Sequence, residues 1–167
     1  HLRSFEKFAR AFEGFTRRCV FSYLDIYRGM SRAARELGFR APDESEKLAL
    51  ARELAPMAQA HGMTLESCAE DINLEQFGIL HTSCIDAALI EKIIGRPVLR
   101  TKDKNQRPEC GCMASIDIGM YDTCRHGCRY CYATHSLKTV VRNAEAHDPN
   151  SPLLCGQILP EDVVKDR

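Results

Sequence analysis

The segment Cys124-Arg-His-Gly-Cys128-Arg-Tyr-Cys131 determines how this sequence is interpreted. It places three thiols within eight residues, separated by three residues and then by two, and Cys110 and Cys112 stand a short way upstream. Packing does not explain so dense a run, because a buried cysteine behaves as one small hydrophobic residue and gains nothing from two others beside it. Thiolates gathered around a soft metal do explain it. The segment therefore predicts a metal cluster.

The composition is that of an ordinary globular protein. The chain has 167 residues, enough for one domain of usual size, and 44% of them are apolar. Its 23 basic and 23 acidic residues balance, so a nucleic-acid partner is not indicated. No apolar run approaches the roughly 20 residues that span a bilayer, and no secretory signal opens the sequence. We expect a cytoplasmic protein with no membrane partner.

The cysteine count favours metal or redox chemistry over disulfide bonds. There are nine cysteines, an odd number, and five of them fall between residues 110 and 131. A secreted disulfide scaffold usually has an even number in a shorter chain that carries an export signal. In a reducing compartment, clustered cysteines point to metal binding instead.

Hydrophobic spacing predicts alternating helices and strands before the cysteine-rich part. Asp43 followed by Glu46 predicts a capping box, and Pro56 predicts a kink in the helix that follows. The expected elements are helices over 1–16, 43–62 and 85–94, strands over 18–24 and 63–68, and a short helix or irregular connection over 28–38.

This order of elements is typical of parallel βα units and predicts an α/β fold. Two strands do not make a stable parallel sheet with both faces covered. The chain also begins at His1, inside a predicted helix and without an initiator Met, so we expect a fragment whose remaining strands lie upstream or in another chain. The fold predicted is the C-terminal part of a (βα) barrel-like fold, followed by a cysteine-rich metal-cluster loop and a C-terminal helix over 136–147.

The expected division follows the composition. Residues 1–100 form a partial βα-barrel region that is truncated at its N-terminus, and residues 101–167 form a cysteine-rich iron–sulfur region.

The spacing of the motif favours an iron–sulfur cluster over zinc. Three thiolates reach three corners of a [4Fe–4S] cubane and leave one iron open to a substrate or cofactor. Structural zinc prefers four ligands, commonly in paired C-x2-C units. Cys128 and Cys131 form one such pair, but Cys110 and Cys112 are too close together to be the usual second.

The remaining cysteines leave alternatives open. Cys110 or Cys112 is a fourth ligand to the first cluster, which closes its open iron, or both join Cys68 and Cys84 in a second site, either [4Fe–4S] or zinc. Cys68 lies at the end of a predicted strand, where βα folds place their sites. The competing interpretation makes Cys68 and Cys84 buried core thiols, because free cysteine is among the most buried residue types.

The pattern Cys124-x3-Cys128-x-Tyr130-Cys131 resembles the cluster signature of the radical S-adenosylmethionine (SAM) superfamily. The resemblance implies that the three cysteines hold a [4Fe–4S] cluster and that Tyr130 packs near the adenine of SAM; the alternative for Tyr130 is a loop aromatic that packs on the cluster. It also implies that one electron from the cluster cleaves SAM, giving a 5′-deoxyadenosyl radical that abstracts hydrogen from an unknown substrate. Such a protein needs an electron donor as a partner.

More of the chain resembles domain-of-unknown-function family 1848, a bacterial family whose C-terminus carries a radical-SAM-like cysteine cluster. Two features depart from these patterns: the family's N-terminal half is absent here, and only 36 residues follow Cys131, too few for a barrel placed after the cluster loop. The shared stretches are Cys68–Glu70, Cys84–Asp86, Lys102–Arg107, Cys110–Cys112, Ser115–Gly119, Tyr121, Thr123–Ala133 and His147–Leu154.

Together the motif and the resemblance imply an iron–sulfur protein with radical-SAM-like chemistry. Two alternatives stay open: an iron–sulfur protein that does not use SAM and has an electron-transfer or structural role, and a zinc-stapled binding module.

Overall fold

The protein has a mixed α/β architecture with a small parallel sheet. The computed structural model describes residues 1–27, 30–129 and 131–165, and these contain five α-helices and three β-strands. The strands are β1 (Arg18–Phe21), β2 (Thr64–Cys68) and β3 (Leu80–Thr82). The helices are α1 (Leu2–Phe12), α2 (Ser31–Leu37), α3 (Glu44–Ala60), α4 (Ala87–Ile94) and α5 (Leu137–Glu145).

The sheet has the strand order β1-β2-β3, and both neighbouring pairs run parallel. Arg18 lies opposite Thr64, and Cys68 opposite Thr82. The α/β class and the first two strands are confirmed, whereas β3 was missed because three residues are too few to show an alternating pattern. Three parallel strands are what the described residues contain, so the barrel stays a proposal.

Helix α3 supplies the main apolar surface against the sheet. Its N-terminus is held by the predicted capping box: the Glu46 amide donates to the Asp43 carboxylate (2.9 Å), and the Asp43 amide donates to the Glu46 carboxylate (3.0 Å). The helix continues through Pro56 to Ala60. Ala51 and Ala58, both fully buried, let α3 approach its neighbours closely in the core.

Two compact units can be distinguished. The first comprises His1–Asp25 and Arg40–Ile116 and contains the sheet with α1, α3 and α4. The second comprises Ile26–Phe39 and Asp117–Arg167 and contains α2 and α5. The predicted helix over 136–147 is confirmed as α5, whose N-cap Ser136 accepts a hydrogen bond from the Thr139 amide (3.2 Å).

None of the helices in the described part of the chain has both the length and the apolar character needed to cross a membrane.

Candidate metal centre

Thiols from three separate segments meet at the carboxyl end of the sheet. Cys68 is the last residue of β2, Cys84 follows β3, and Cys112 lies in the long connection after α4. Their sulfur atoms all lie within 4.8 Å of one another, and the Sγ atoms of Cys68 and Cys112 are 4.0 Å apart. All nine cysteines lie in the described residues and have free thiols. These three are therefore close enough together to bind a metal ion.

Cys110 belongs to the same buried cluster. Cys110 and Cys68 are each 4% exposed and Cys112 is 5% exposed, whereas Cys84 reaches the surface. Few apolar side chains surround these sulfurs: Ala69 is buried with them, and Val20 and Ile85 pack against them. The cluster is thus richer in sulfur than an ordinary core.

Burial and hydrogen bonding shift the pKa values of the thiols in this cluster in different directions. Burial raises the pKa of Cys68 to about 11 and raises the pKa of Cys110. Burial opposes ionisation of Cys112 too, but the Ile85 amide, 3.3 Å from its Sγ, and the thiols of Cys110 and Cys68 bring the Cys112 pKa below its usual value. Among the three buried thiols, Cys112 is therefore the one most readily held as a thiolate.

Arg18 fixes the turn that carries Cys84. From β1 its guanidinium reaches Glu66 on β2 (2.5 Å), the Thr82 hydroxyl on β3 and the Ser83 carbonyl oxygen (3.4 Å). It also pairs with Asp86 (3.3 Å), whose carboxylate caps α4 through the amides of Ala88 and Leu89. One side chain thus ties three strands to the β3–α4 turn.

The segment with Cys110 and Cys112 is attached to that turn by its backbone. The Met113 amide donates to the Ile85 carbonyl oxygen (3.1 Å), beside the bond from the Ile85 amide to Cys112. Gly111, between the two cysteines, passes so close to Ser83 that a Cβ atom there would lie 2.6 Å from the Ser83 hydroxyl oxygen. At the other side of the group, Ala69 has a φ of 57°, a left-handed conformation that is costly for a residue with a Cβ atom.

A small polar cavity of about 200 Å³ lies at the carboxyl ends of β1 and β2, lined in part by Tyr23, Asp25, Lys47, Glu70 and Arg107. Two of its acidic side chains, Asp25 and Glu70, are already paired. Glu70 accepts the Tyr23 amide (2.8 Å) and faces Lys47 (3.4 Å), and Asp25 pairs with Arg107 (3.2 Å). These contacts give Asp25 and Glu70 a structural role at the strand ends.

The motif cysteines lie in the second unit, on a loop that Asp122 closes at its base. The Asp122 amide donates to the Ala133 carbonyl oxygen (2.8 Å), and one Asp122 carboxylate oxygen accepts the amides of His135 (2.6 Å) and Ser136 (2.9 Å). The Asn143 side chain on α5 donates to the Asp122 carbonyl oxygen (3.0 Å). Asp122 itself has a φ of 57°, a conformation that Asp tolerates better than most residues. The loop is therefore pinned to the N-terminus of α5.

The thiols on this loop are accessible. Cys124 and Cys128 are exposed and Cys131 is half-buried, and the Cys131 amide closes a turn onto the Cys128 carbonyl oxygen (3.0 Å). The Thr134 hydroxyl, followed by the Ala133 amide, lowers the pKa of Cys131. The predicted adenine contact Tyr130 lies outside the described residues.

The structure brings together a different set of thiols from the one that the motif emphasises. Among residues 1–27, 30–129 and 131–165, the group of three metal-binding side chains within 4.8 Å of one another is Cys68, Cys84 and Cys112. The thiols of Cys124, Cys128 and Cys131 are not all within that distance. The signal for the compact group was present in the sequence, because Cys68 and Cys84 each end or follow a strand, but β3 had to be recognised to show it.

Comparison with known proteins identifies the family. A family model described as "Domain of unknown function (DUF1848)" matches residues 1–133. The chain therefore belongs to that family, as the shared stretches implied. Neither a curated protein nor a solved structure matches the chain.

Proposed function

We propose that this member of the DUF1848 family is a radical-SAM-like iron–sulfur protein in which Cys124, Cys128 and Cys131 hold a [4Fe–4S] cluster. The observation that carries the proposal is the accessibility of these thiols on a loop with a fixed base. A cluster that binds a cofactor through an open iron has to face solvent or a cavity, so buried thiols would not serve. The pinned base limits how far the three thiols can separate.

The donor set fits such a cluster. Cysteine thiolates are the usual ligands of iron–sulfur clusters. The sulfurs of the three motif cysteines are less tightly grouped than those of Cys68, Cys84 and Cys112. A wider spacing suits a cubane, because each thiolate binds a different iron. Bound at this loop, the cluster would supply the one-electron reduction of SAM and so start radical chemistry.

The chain's own residues have positioning roles in this proposal. The Thr134 hydroxyl and the Ala133 amide lower the pKa of Cys131, and donors beside a ligand thiolate orient it and tune the metal. Asp122 orients the loop as a whole. Tyr130 is proposed as the contact to the adenine of SAM.

The barrel-like fold, the division of the chain, the partners and the cellular compartment are also proposed. The parallel sheet would be the C-terminal part of a (βα) barrel-like fold within residues 1–100, followed by the iron–sulfur region 101–167. The parallel order of β1, β2 and β3 supports this, because purely parallel sheets occur in folds with both faces covered. An unknown substrate and an electron donor would be the partners, in the cytoplasm.

The test is an EPR spectrum of the anaerobically reconstituted, reduced protein with and without SAM. The proposal predicts a [4Fe–4S] signal that changes when SAM is added, because SAM binds the open iron. A Cys124→Ser variant should lose the signal, and Cys155→Ser is the matched control that should keep it. An unchanged signal in the presence of SAM would contradict the proposal.

The second candidate is a metal protein that does not use SAM, either an electron-transfer or structural iron–sulfur protein or a zinc-stapled binding module. The group of Cys68, Cys84 and Cys112 favours it, because two of its three thiols, Cys68 and Cys112, are buried and so shielded from a cofactor. The same spectrum separates the two, since a fully ligated cluster is indifferent to SAM and a zinc site gives no EPR signal.

A further inference from the structure

The compact cysteine group at the carboxyl end of the sheet is not used by the proposed SAM chemistry, and its dimensions restrict what it binds. The sulfurs of Cys68, Cys84 and Cys112 all lie within 4.8 Å of one another, with 4.0 Å between Cys68 and Cys112. A tetrahedral zinc ion with Zn–S bonds of about 2.3 Å holds its sulfur ligands about 3.8 Å apart. The observed spacing is close to that of a single ion.

A multi-iron cluster fits this group less well. In a cubane each thiolate binds a different iron, so the metal–metal distances add to the separation of the sulfurs. The three sulfurs would have to move apart, and Cys68 and Cys112 are both buried. The bond from the Ile85 amide to the Cys112 Sγ also restrains the loop.

Cys110 is available as a fourth ligand. It is 4% exposed and packs in the same cluster of buried side chains as Cys68 and Cys112. It lies outside the set of sulfurs that are mutually within 4.8 Å, so four-fold ligation requires its side chain to turn toward the other three. Four thiolates fill every position of a structural zinc ion.

One backbone amide beside the group also supports a metal-bound thiolate. The Ile85 amide donates to the Cys112 sulfur (3.3 Å). Amide donors of this kind commonly support metal-bound sulfur. A disulfide does not account for the group, since the described cysteines are all free.

We propose that Cys68, Cys84, Cys110 and Cys112 bind one zinc ion in a closed structural site. The ion fastens the connection after α4 to the ends of β2 and β3, segments otherwise joined there by a few backbone hydrogen bonds. With four protein ligands it leaves no position for a substrate. This site is independent of the motif loop and of the proposed SAM chemistry.

The test uses the whole chain with Cys124, Cys128 and Cys131 all changed to Ser, so that a cluster on the motif loop does not contribute. Metal analysis and zinc EXAFS are measured on this variant after growth with zinc and iron. The proposal predicts one zinc per chain with four sulfur neighbours at about 2.3 Å. Bound iron with sulfide, fewer than four sulfurs, or no zinc in a chain that is folded by circular dichroism would each overturn it.

A second variant isolates Cys110 and does not depend on complete loss of the site. Adding Cys110→Ser should lower the number of sulfur neighbours of zinc from four to three. It should also lower the affinity for zinc at least about tenfold in competition with a chelator. Cys19→Ser is the matched control, because Cys19 lies in β1 outside the group, and it should leave four sulfurs. Four sulfurs in the Cys110→Ser variant would remove Cys110 from the site.

Discussion

The compact cysteine group of the first unit and the motif loop of the second present the same side chain in opposite surroundings. Cys68, Cys110 and Cys112 are at most 5% exposed and come from distant parts of the sequence. Cys124 and Cys128 are exposed and belong to one segment of eight residues. The difference matches the two proposed sites, a closed zinc site that holds the fold together and an open cluster that a cofactor can reach.

The two regions also differ in what positions their thiols. Long-range contacts hold the compact group in place. The chief ones are the hydrogen bonds of the Arg18 side chain and the hydrogen bonds that the Ile85 backbone makes with the Cys112 sulfur and the Met113 amide. In the motif loop, Asp122 joins the two ends, and Arg129 pairs with Glu36 (2.8 Å). Changes in the sheet should therefore affect only the first region, and changes at Asp122 only the second.

The largest expected difference is in thiol reactivity. In protein isolated without cluster reconstitution, we expect iodoacetamide to modify Cys124, Cys128 and Cys131 at least about a hundredfold faster than Cys68 at pH 7. Cys68 is buried and its pKa is raised to about 11, so its thiolate fraction is roughly a hundredfold below that of an ordinary thiol. Mass spectrometry of timed samples gives the rates.

The pH dependence of alkylation follows from the direction of each pKa shift. The lowered pKa of Cys131 means that its alkylation should persist as the pH falls, whereas modification of Cys68 should become appreciable only in alkaline solution. Unfolding in guanidinium is the control and should bring the rates together. Equal rates in the folded protein would contradict the contrast between the two regions.

The next effect concerns the base of the loop. Asp122→Ala removes the acceptor for the amides of His135 and Ser136 and places alanine at a φ of 57°. We expect iron incorporation at the motif to fall about tenfold, the size of effect found when residues that orient metal ligands are changed. Iron analysis after reconstitution measures it.

Asp122→Asn is the matched control, because its amide oxygen still accepts a hydrogen bond and Asn tolerates the left-handed conformation. It should retain most of the iron, and zinc at the compact group should not change in either variant. Loss of zinc in Asp122→Ala would show that the two regions are not independent.

The smallest effect is expected at Gly111. In Gly111→Ala the new methyl group would lie 2.6 Å from the Ser83 hydroxyl oxygen, and that hydroxyl can rotate away at modest cost. We expect zinc binding to weaken severalfold in chelator competition. Adding Ser83→Ala, which removes the oxygen, should restore it; a double variant as weak as Gly111→Ala would show that the contact is not the cause.

The sequence was most informative where the signal was local. The capping box of Asp43 and Glu46 lies within one helical turn, and the helices over 43–62 and 136–147 follow from local spacing; each is confirmed. The density of the motif cysteines was a local signal of the same kind. The family was recognised from several stretches, all but His147–Leu154 lying within residues 1–133, which the family model matches.

The compact group could not be predicted from the sequence alone, because its members are brought together by tertiary structure. Cys68 and Cys84 are neighbours only because β2 and β3 are parallel partners, and β3 is three residues long with weak alternation. The closeness of Cys112 follows from backbone bonds between two irregular segments. Sequence reasoning kept all four cysteines as candidates but had no means of choosing between a second site and core thiols.

The central claim is that the chain has two independent metal sites, and metal analysis of two variants beside the wild type tests it most directly. We expect the anaerobically reconstituted wild type to hold about four irons and one zinc per chain. The variant with Ser at 124, 128 and 131 should keep the zinc and lose the iron, and Cys112→Ser should keep the iron and lose the zinc. Loss of both metals in either variant, with the chain still folded, would contradict the account.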